Sequence, residues 1–86
     1  MNEKYTVRIS GAELHIVTDE SEEYLKSIAE TIDKRMTDMI VSNKRCSRLD
    51  AALICAVDYL DGKLKAEEEI RRLKEENKTL RELANV

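Results

Sequence analysis

Residues 47–86 read SRLDAALICAVDYLDGKLKAEEEIRRLKEENKTLRELANV, and how this stretch is read decides the fold. The 86-residue chain has no proline, and the only glycine in this stretch is Gly62. A glycine inside a helix costs only about 1 kcal/mol against alanine. The stretch therefore predicts one uninterrupted helix. Ser47-x-x-Asp50 marks its start as a capping box, with Asp in place of the usual Glu or Gln. The opening LDAALICAV, residues 49–57, is apolar nearly all round, which predicts burial on more than one side. Beyond Tyr59 and Leu60 the pattern narrows to a stripe. Ile70, Leu73, Asn77, Leu80 and Ala84 step by three, four, three and four. That is a heptad seam, with Ile70, Asn77 and Ala84 at a, and Leu73 and Leu80 at d.

Length sharpens the expectation. A helix over residues 48–84 is roughly 55 Å long. A compact chain of this size has a radius of gyration of about 12 Å. The helix is expected to project from any globular head, and its stripe then needs other chains to cover it. The oligomerisation candidates are Leu53, Ala56, Leu60, Leu64, Ile70, Leu73, Asn77, Leu80 and Ala84. In a parallel dimer Glu69 and Glu76 at g would meet Lys74 and Arg81 at e of the partner helix, opposite in sign. Exposed pairs of this kind contribute less than about 1 kcal/mol each, so they bias partner choice more than stability. Asn77 is a polar a residue of the sort that fixes register and strand number; the alternative is that it lies in a frayed end.

The first half reads differently. Tyr5, Val7 and Ile9 alternate with polar residues, the period of a half-buried strand. Ser10 and Gly11 supply a turn, and Leu14, His15 and Ile16 resume the alternation, which predicts a β-hairpin. Asp19 or Ser21 is suited to cap a helix whose first turn holds Glu22 and Glu23. Leu25, Ile28, Ala29, Ile32, Met36, Met39 and Ile40 then recur at helical spacing. That helix is expected to break near Ser42-Asn43. The fold class is thus α+β: a head over residues 1–48, and a long helix over 49–86 that begins in the head and ends as a coiled coil.

Composition excludes several functions. The formal net charge is −3, which disfavours non-specific nucleic-acid binding. No apolar run is long enough for a membrane span, and no signal-peptide pattern opens the chain. Two cysteines at C-x8-C spacing fit neither a disulfide scaffold nor a common zinc motif. No cofactor or metal set is expected. His15, the single histidine, has no nucleophile of recognisable context beside it and reads as a sheet-face residue. Cys55 reads as a buried small hydrophobe. Cys46 lies near Lys44, Arg45 and a helix start; a reactive thiol is one reading and an ordinary loop cysteine the other. The glutamates at 67–69 and 75–76 alternate with Lys and Arg and read as a solvated helix face. Residues 41–48 hold Lys44, Arg45 and Arg48 without an acid, the one marked charge asymmetry. Such a knot suits an acidic protein partner; the other reading is an ordinary solvated loop. A bZIP-like reading is opposed by its shortness and by the apolar helix between it and the seam.

The ordered set TVRISG, SEEYLKSIAETIDKRM and LDAALICAVDYLDGKLK, followed by a charged coil, resembles the ZapA family of bacterial cell-division proteins that associate with FtsZ. The likeness rests on Val7-x-Ile9-x-Gly11, on Glu23-Tyr24-Leu25 with Ile28-Ala29, Ile32-Asp33 and Met36, and on Ala51-Ala52-Leu53 with Ala56-Val57 and Leu60-Asp61. The chain departs from the family pattern at Leu14, where an aromatic is usual, at Gly62, where an acid often follows Asp61, and in its short coil. The resemblance implies a non-enzymatic scaffold without cofactor, working in the cytoplasm at the mid-cell Z-ring. It implies dimers through heads and helices, and tetramers through the coils, that bind and bundle FtsZ protofilaments. The FtsZ-facing residues it implies are Lys34, Arg35, Lys44, Arg45 and Arg48. The alternative is a dimeric zipper-type regulatory or DNA-associated protein.

Overall fold

The computed structural model describes residues 2–85. The element order is two strands and two helices: β1 (Glu3–Ile9), β2 (Ala12–Thr18), α1 (Glu22–Ser42) and α2 (Arg48–Ala84). The strands pair antiparallel, with Tyr5 opposite Ile16, Val7 opposite Leu14 and Ile9 opposite Ala12. The two-residue turn places Ser10 at φ 52° and Gly11 at φ 79°. Positive φ at both central residues matches the right-handed twist of the flanking strands. The alternation of Tyr5, Val7 and Ile9 becomes one face of this hairpin, and α1 lies against β1 on that face. Val7, Leu25 and Ala29 form the first core cluster, with Tyr5, Ile9 and Ile16 packed around it. Leu14 shares the face but is 41% exposed.

The helix ends follow the local chemistry. Ser21 caps α1, its Oγ accepting from the Tyr24 amide at 3.1 Å. Glu22 and Glu23 occupy the positive end of the helix dipole. At the other end Asn43 turns extended, its amide donating to the Met39 carbonyl at 3.0 Å. The Asn43 side chain then accepts from the Arg45 amide at 3.0 Å, folding the connection back. The expected capping box closes in both directions: the Asp50 amide donates to Ser47 Oγ at 3.0 Å, and the Ser47 amide donates to Asp50 Oδ2 at 3.2 Å. Helix α2 runs unbroken through Gly62, around which a Cβ would meet nothing within 4 Å.

Two compact units divide the chain, Met1–Cys55 and Ala56–Val86. In the first, a second cluster of Met36, Ala51 and Cys55 gathers Ile9, Ile32, Met39, Ile40 and Cys46. Ile9 touches both clusters and so joins the hairpin to the starts and ends of the helices. The stretch LDAALICAV differs from expectation here. Only Ala51 and Cys55 are buried, while Leu53, Ile54 and Val57 are 56%, 46% and 68% exposed. One chain covers one side of this stretch and leaves its remaining apolar surface open. In the second unit every described residue is exposed, and the helix is laced by i,i+3 and i,i+4 ion pairs such as Lys65–Asp61 at 2.9 Å and Arg71–Glu75 at 2.9 Å.

Candidate interaction surfaces

The oligomerisation candidates divide by face. A helix advances 100° per residue. Leu60 and Leu73 are 13 residues apart, which sets them about 140° apart round the axis of α2. Val57, Leu60 and Leu64 form one apolar stripe, and Ile70, Leu73, Asn77 and Leu80 form another on a different side. Leu60 and Leu64 are each 55% exposed, Ile70 52% and Leu73 48%. A soluble chain rarely leaves a run of large apolar side chains facing water. The single chain leaves both stripes uncovered.

Charge on the second stripe is partly engaged within the helix. Glu69, a g residue, pairs with Arg72 one turn on, at 2.5 Å. Arg71 bridges Glu68 and Glu75 on the side away from the seam. Glu68 is held below the ordinary carboxylate range, chiefly because Arg71 hydrogen bonds to it and secondly by the Arg71 charge. Arg71 is raised by the same partner. These outward pairs do not compete with a partner helix, whereas the Glu69–Arg72 pair must open if Glu69 is to reach across.

The basic candidates also separate. Lys34 and Arg35 are exposed on α1, two turns before its end. Lys44 and Arg45 are exposed on the connection, where Arg45 lines a shallow, open depression with Asn43, Cys46, Asp50, Leu53 and Ile54. Arg48 is turned elsewhere: its guanidinium donates to the Ser10 carbonyl at 3.1 Å. On the other side of the same turn the Ser10 amide donates to Asp33 Oδ1 at 2.5 Å. The sequence singles out Arg48 as a basic candidate and Asp33 as part of the family likeness, but does not show that both meet Ser10. A serine at positive φ, where Asn, Asp or Gly is usual, was the one available sign that the turn is held from outside.

His15 Nδ1 lies 2.9 Å from Thr6 Oγ1, its cross-strand neighbour, on the exposed face of the hairpin. Cys46 is half-buried and Cys55 buried, both free. Among the described residues no group of three or more His, Cys, Asp or Glu is placed to hold a metal ion. No described helix is long and apolar enough to cross a membrane.

Comparison with known proteins identifies the family. The family model described as Cell division protein ZapA matches residues 5–86. The cell division protein ZapA of Bacillus licheniformis is 34% identical over 71 residues, covering 83% of this chain and 84% of its own. That of Oceanobacillus iheyensis is 30% identical over 71 residues, covering 83% of each. A solved structure, a ZapA mutant dimer from Geobacillus stearothermophilus, superposes with a TM-score of 0.75 at 28% identity and covers 91% of each chain. With the family model matching residues 5–86 and a relative 34% identical over 83% of the chain, the chain belongs to the ZapA family of cell-division proteins.

Proposed function

We propose that this chain is a non-enzymatic scaffold of bacterial cell division, which self-associates through α2, binds FtsZ through its first unit and cross-links FtsZ protofilaments. The observation that carries this reading is the pair of uncovered apolar stripes on α2. Two stripes on different sides of one helix suit an assembly larger than two chains, since one partner helix covers one side. The family membership and the dimeric state of the solved relative support the self-association. Its place of action is the cytoplasm, at the mid-cell Z-ring. Joining two or more weak heads in one particle raises avidity by about 10²–10⁴-fold without any new contact, which is what bundling requires.

FtsZ contact falls to the exposed basic residues Lys34, Arg35, Lys44 and Arg45, with Arg48 treated below. The alternative, a zipper-type DNA-associated protein, has less support, because the net charge is −3 and the basic knot is short. The test is co-sedimentation of the chain with polymerised FtsZ, alongside its mass in solution by light scattering. The wild-type chain is expected to pellet with FtsZ polymers and to form bundles. Reversing both Lys44 and Arg45 to Glu is expected to weaken pelleting roughly tenfold at low salt, and less at high salt, where exposed charges are screened. A wild-type chain that stays in the supernatant while FtsZ pellets would overturn the proposal.

A further inference from the structure

The hairpin turn is held from two sides by residues distant in sequence. Ser10 sits at φ 52°, a conformation that costs a non-glycine residue roughly 1 kcal/mol or more. Its peptide groups have no ladder partner in a two-residue turn. Both are taken up by side chains: the Ser10 amide donates to Asp33 of α1 at 2.5 Å, and the Ser10 carbonyl accepts from Arg48, the first residue of α2, at 3.1 Å. A Cβ on Gly11 would stand 3.6 Å from the same guanidinium, so Arg48 lies closely over the turn. The Ser10 bond to Asp33 is part-buried, and both bonds involve an ionised side chain, the stronger kind of hydrogen bond. They sit beside Ile9, the residue common to both core clusters.

From this geometry we infer that Asp33 and Arg48 form a clamp on the Ser10 peptide groups that locks the hairpin to both helices, and that Arg48 is a positioning residue of the head and not a direct FtsZ contact. Three elements meet at one residue of the turn. Asp33 fixes the turn to α1, and Arg48 fixes it to the start of α2. The basic knot therefore has two jobs. Lys44 and Arg45 face outward, while Arg48 faces the hairpin. The clamp itself stands on the chain alone; only its consequence for binding rests on the FtsZ reading above.

The test begins without FtsZ. Amide exchange by NMR is compared in the intact chain and in Asp33→Ala, Arg48→Met and Arg48→Lys. Asp33→Ala removes the acceptor and is expected to speed exchange of the Ser10 amide roughly tenfold. Arg48→Met is the decisive variant. Arg48 does not touch the Ser10 amide, so faster exchange there, by several-fold, reports release of the turn. Arg48→Lys keeps a donor and the charge and should restore most of the protection. Lys44→Gln and Arg45→Gln should leave the Ser10 amide unchanged. An Arg48→Met chain whose Ser10 amide exchanges at the wild-type rate would overturn the clamp. Should Arg48→Met lose its helical signal altogether, Arg48→Lys is compared with Arg48→Gln instead: slower exchange of the Ser10 amide in Arg48→Lys supports the clamp, and equal rates overturn it. In co-sedimentation, Arg45→Gln is expected to flatten the salt dependence of binding, whereas Arg48→Gln leaves its slope unaltered. A flattened slope for Arg48→Gln, with Ser10 still protected, would make Arg48 a contact after all.

Discussion

The first unit and the second are built on opposite principles. Among the described residues, those up to Cys55 hold all six buried hydrophobic side chains: Val7, Leu25, Ala29, Met36, Ala51 and Cys55. From Ala56 onward nothing described is buried, and the helix is supported only by its own hydrogen bonds and by exposed ion pairs. Such exposed pairs support the helix only weakly, because solvent screens them. The first unit is thus specified by contacts between residues far apart in sequence, the second by contacts within one turn. The contrast teaches where each can be damaged. A change in the first unit is felt as lost stability of the chain itself. A change on the stripes of the second is felt as lost association, with the single chain little altered.

The largest expected effect tests the second half of that contrast. Leu73→Glu places a carboxylate in the centre of the seam, where it would be desolvated in any coiled assembly. Mass in solution is expected to fall by at least about half, and FtsZ bundling to disappear, while the amides of the hairpin and α1 keep their protection. An unchanged mass by light scattering would break the assignment of this stripe to association. Met36→Ala addresses the other unit. Met36 is 3% exposed and joins α1 to the start of α2. Truncating it should cost about 2–4 kcal/mol, read as a lowered denaturation midpoint at fixed protein concentration. A loss well below 1 kcal/mol would mean that the second cluster is held chiefly by a partner chain.

The smallest effect concerns the exposed pairs. The Glu68 carboxyl is lowered in the folded helix, first by its hydrogen bond from Arg71 and next by the Arg71 charge. A depressed folded value means that the pair stabilises the helix at pH above the unfolded carboxylate value and that this contribution is lost as pH falls through the lowered folded value. Following the Glu68 side-chain carbon by NMR through an acid titration should place its midpoint below that of an ordinary glutamate. Arg71→Gln should bring the midpoint back up. A midpoint indifferent to Arg71→Gln would show that the pair is not maintained in solution.

Much of the architecture is legible in the sequence because it is local. The alternation of Tyr5, Val7 and Ile9 is the hairpin face, Ser21 is the cap of α1, and Ser47 with Asp50 closes as written. The helical pattern carries through Gly62 for the same reason: a single glycine in an exposed turn has too small a penalty to stop propagation. The rest depends on distance or phase. Asp33 and Ser10 are 23 residues apart, Arg48 and Ser10 are 38, and no spacing rule connects them. LDAALICAV looks apolar nearly all round in sequence, yet only Ala51 and Cys55 of it are buried. The seam was visible from its three–four steps. That Leu60 and Leu64 belong to another side of the helix emerges only when 100° per residue is accumulated across the gap between the stripes.

That gap has a consequence of its own. Between Leu64 and Ile70 lie five residues, Lys65 to Glu69, whose side chains are exposed and charged or small. Their identities matter less than their number. Adding or removing one turns every later side chain by 100° relative to every earlier one. The segment works as a protractor: its residue count sets the angle between the two stripes and, in the proposed assembly, the angle at which one neighbouring copy would be presented relative to another. Substitutions at Lys65 to Glu68 would then matter little, while a single insertion or deletion would change the angle between the two stripes without altering a residue of either.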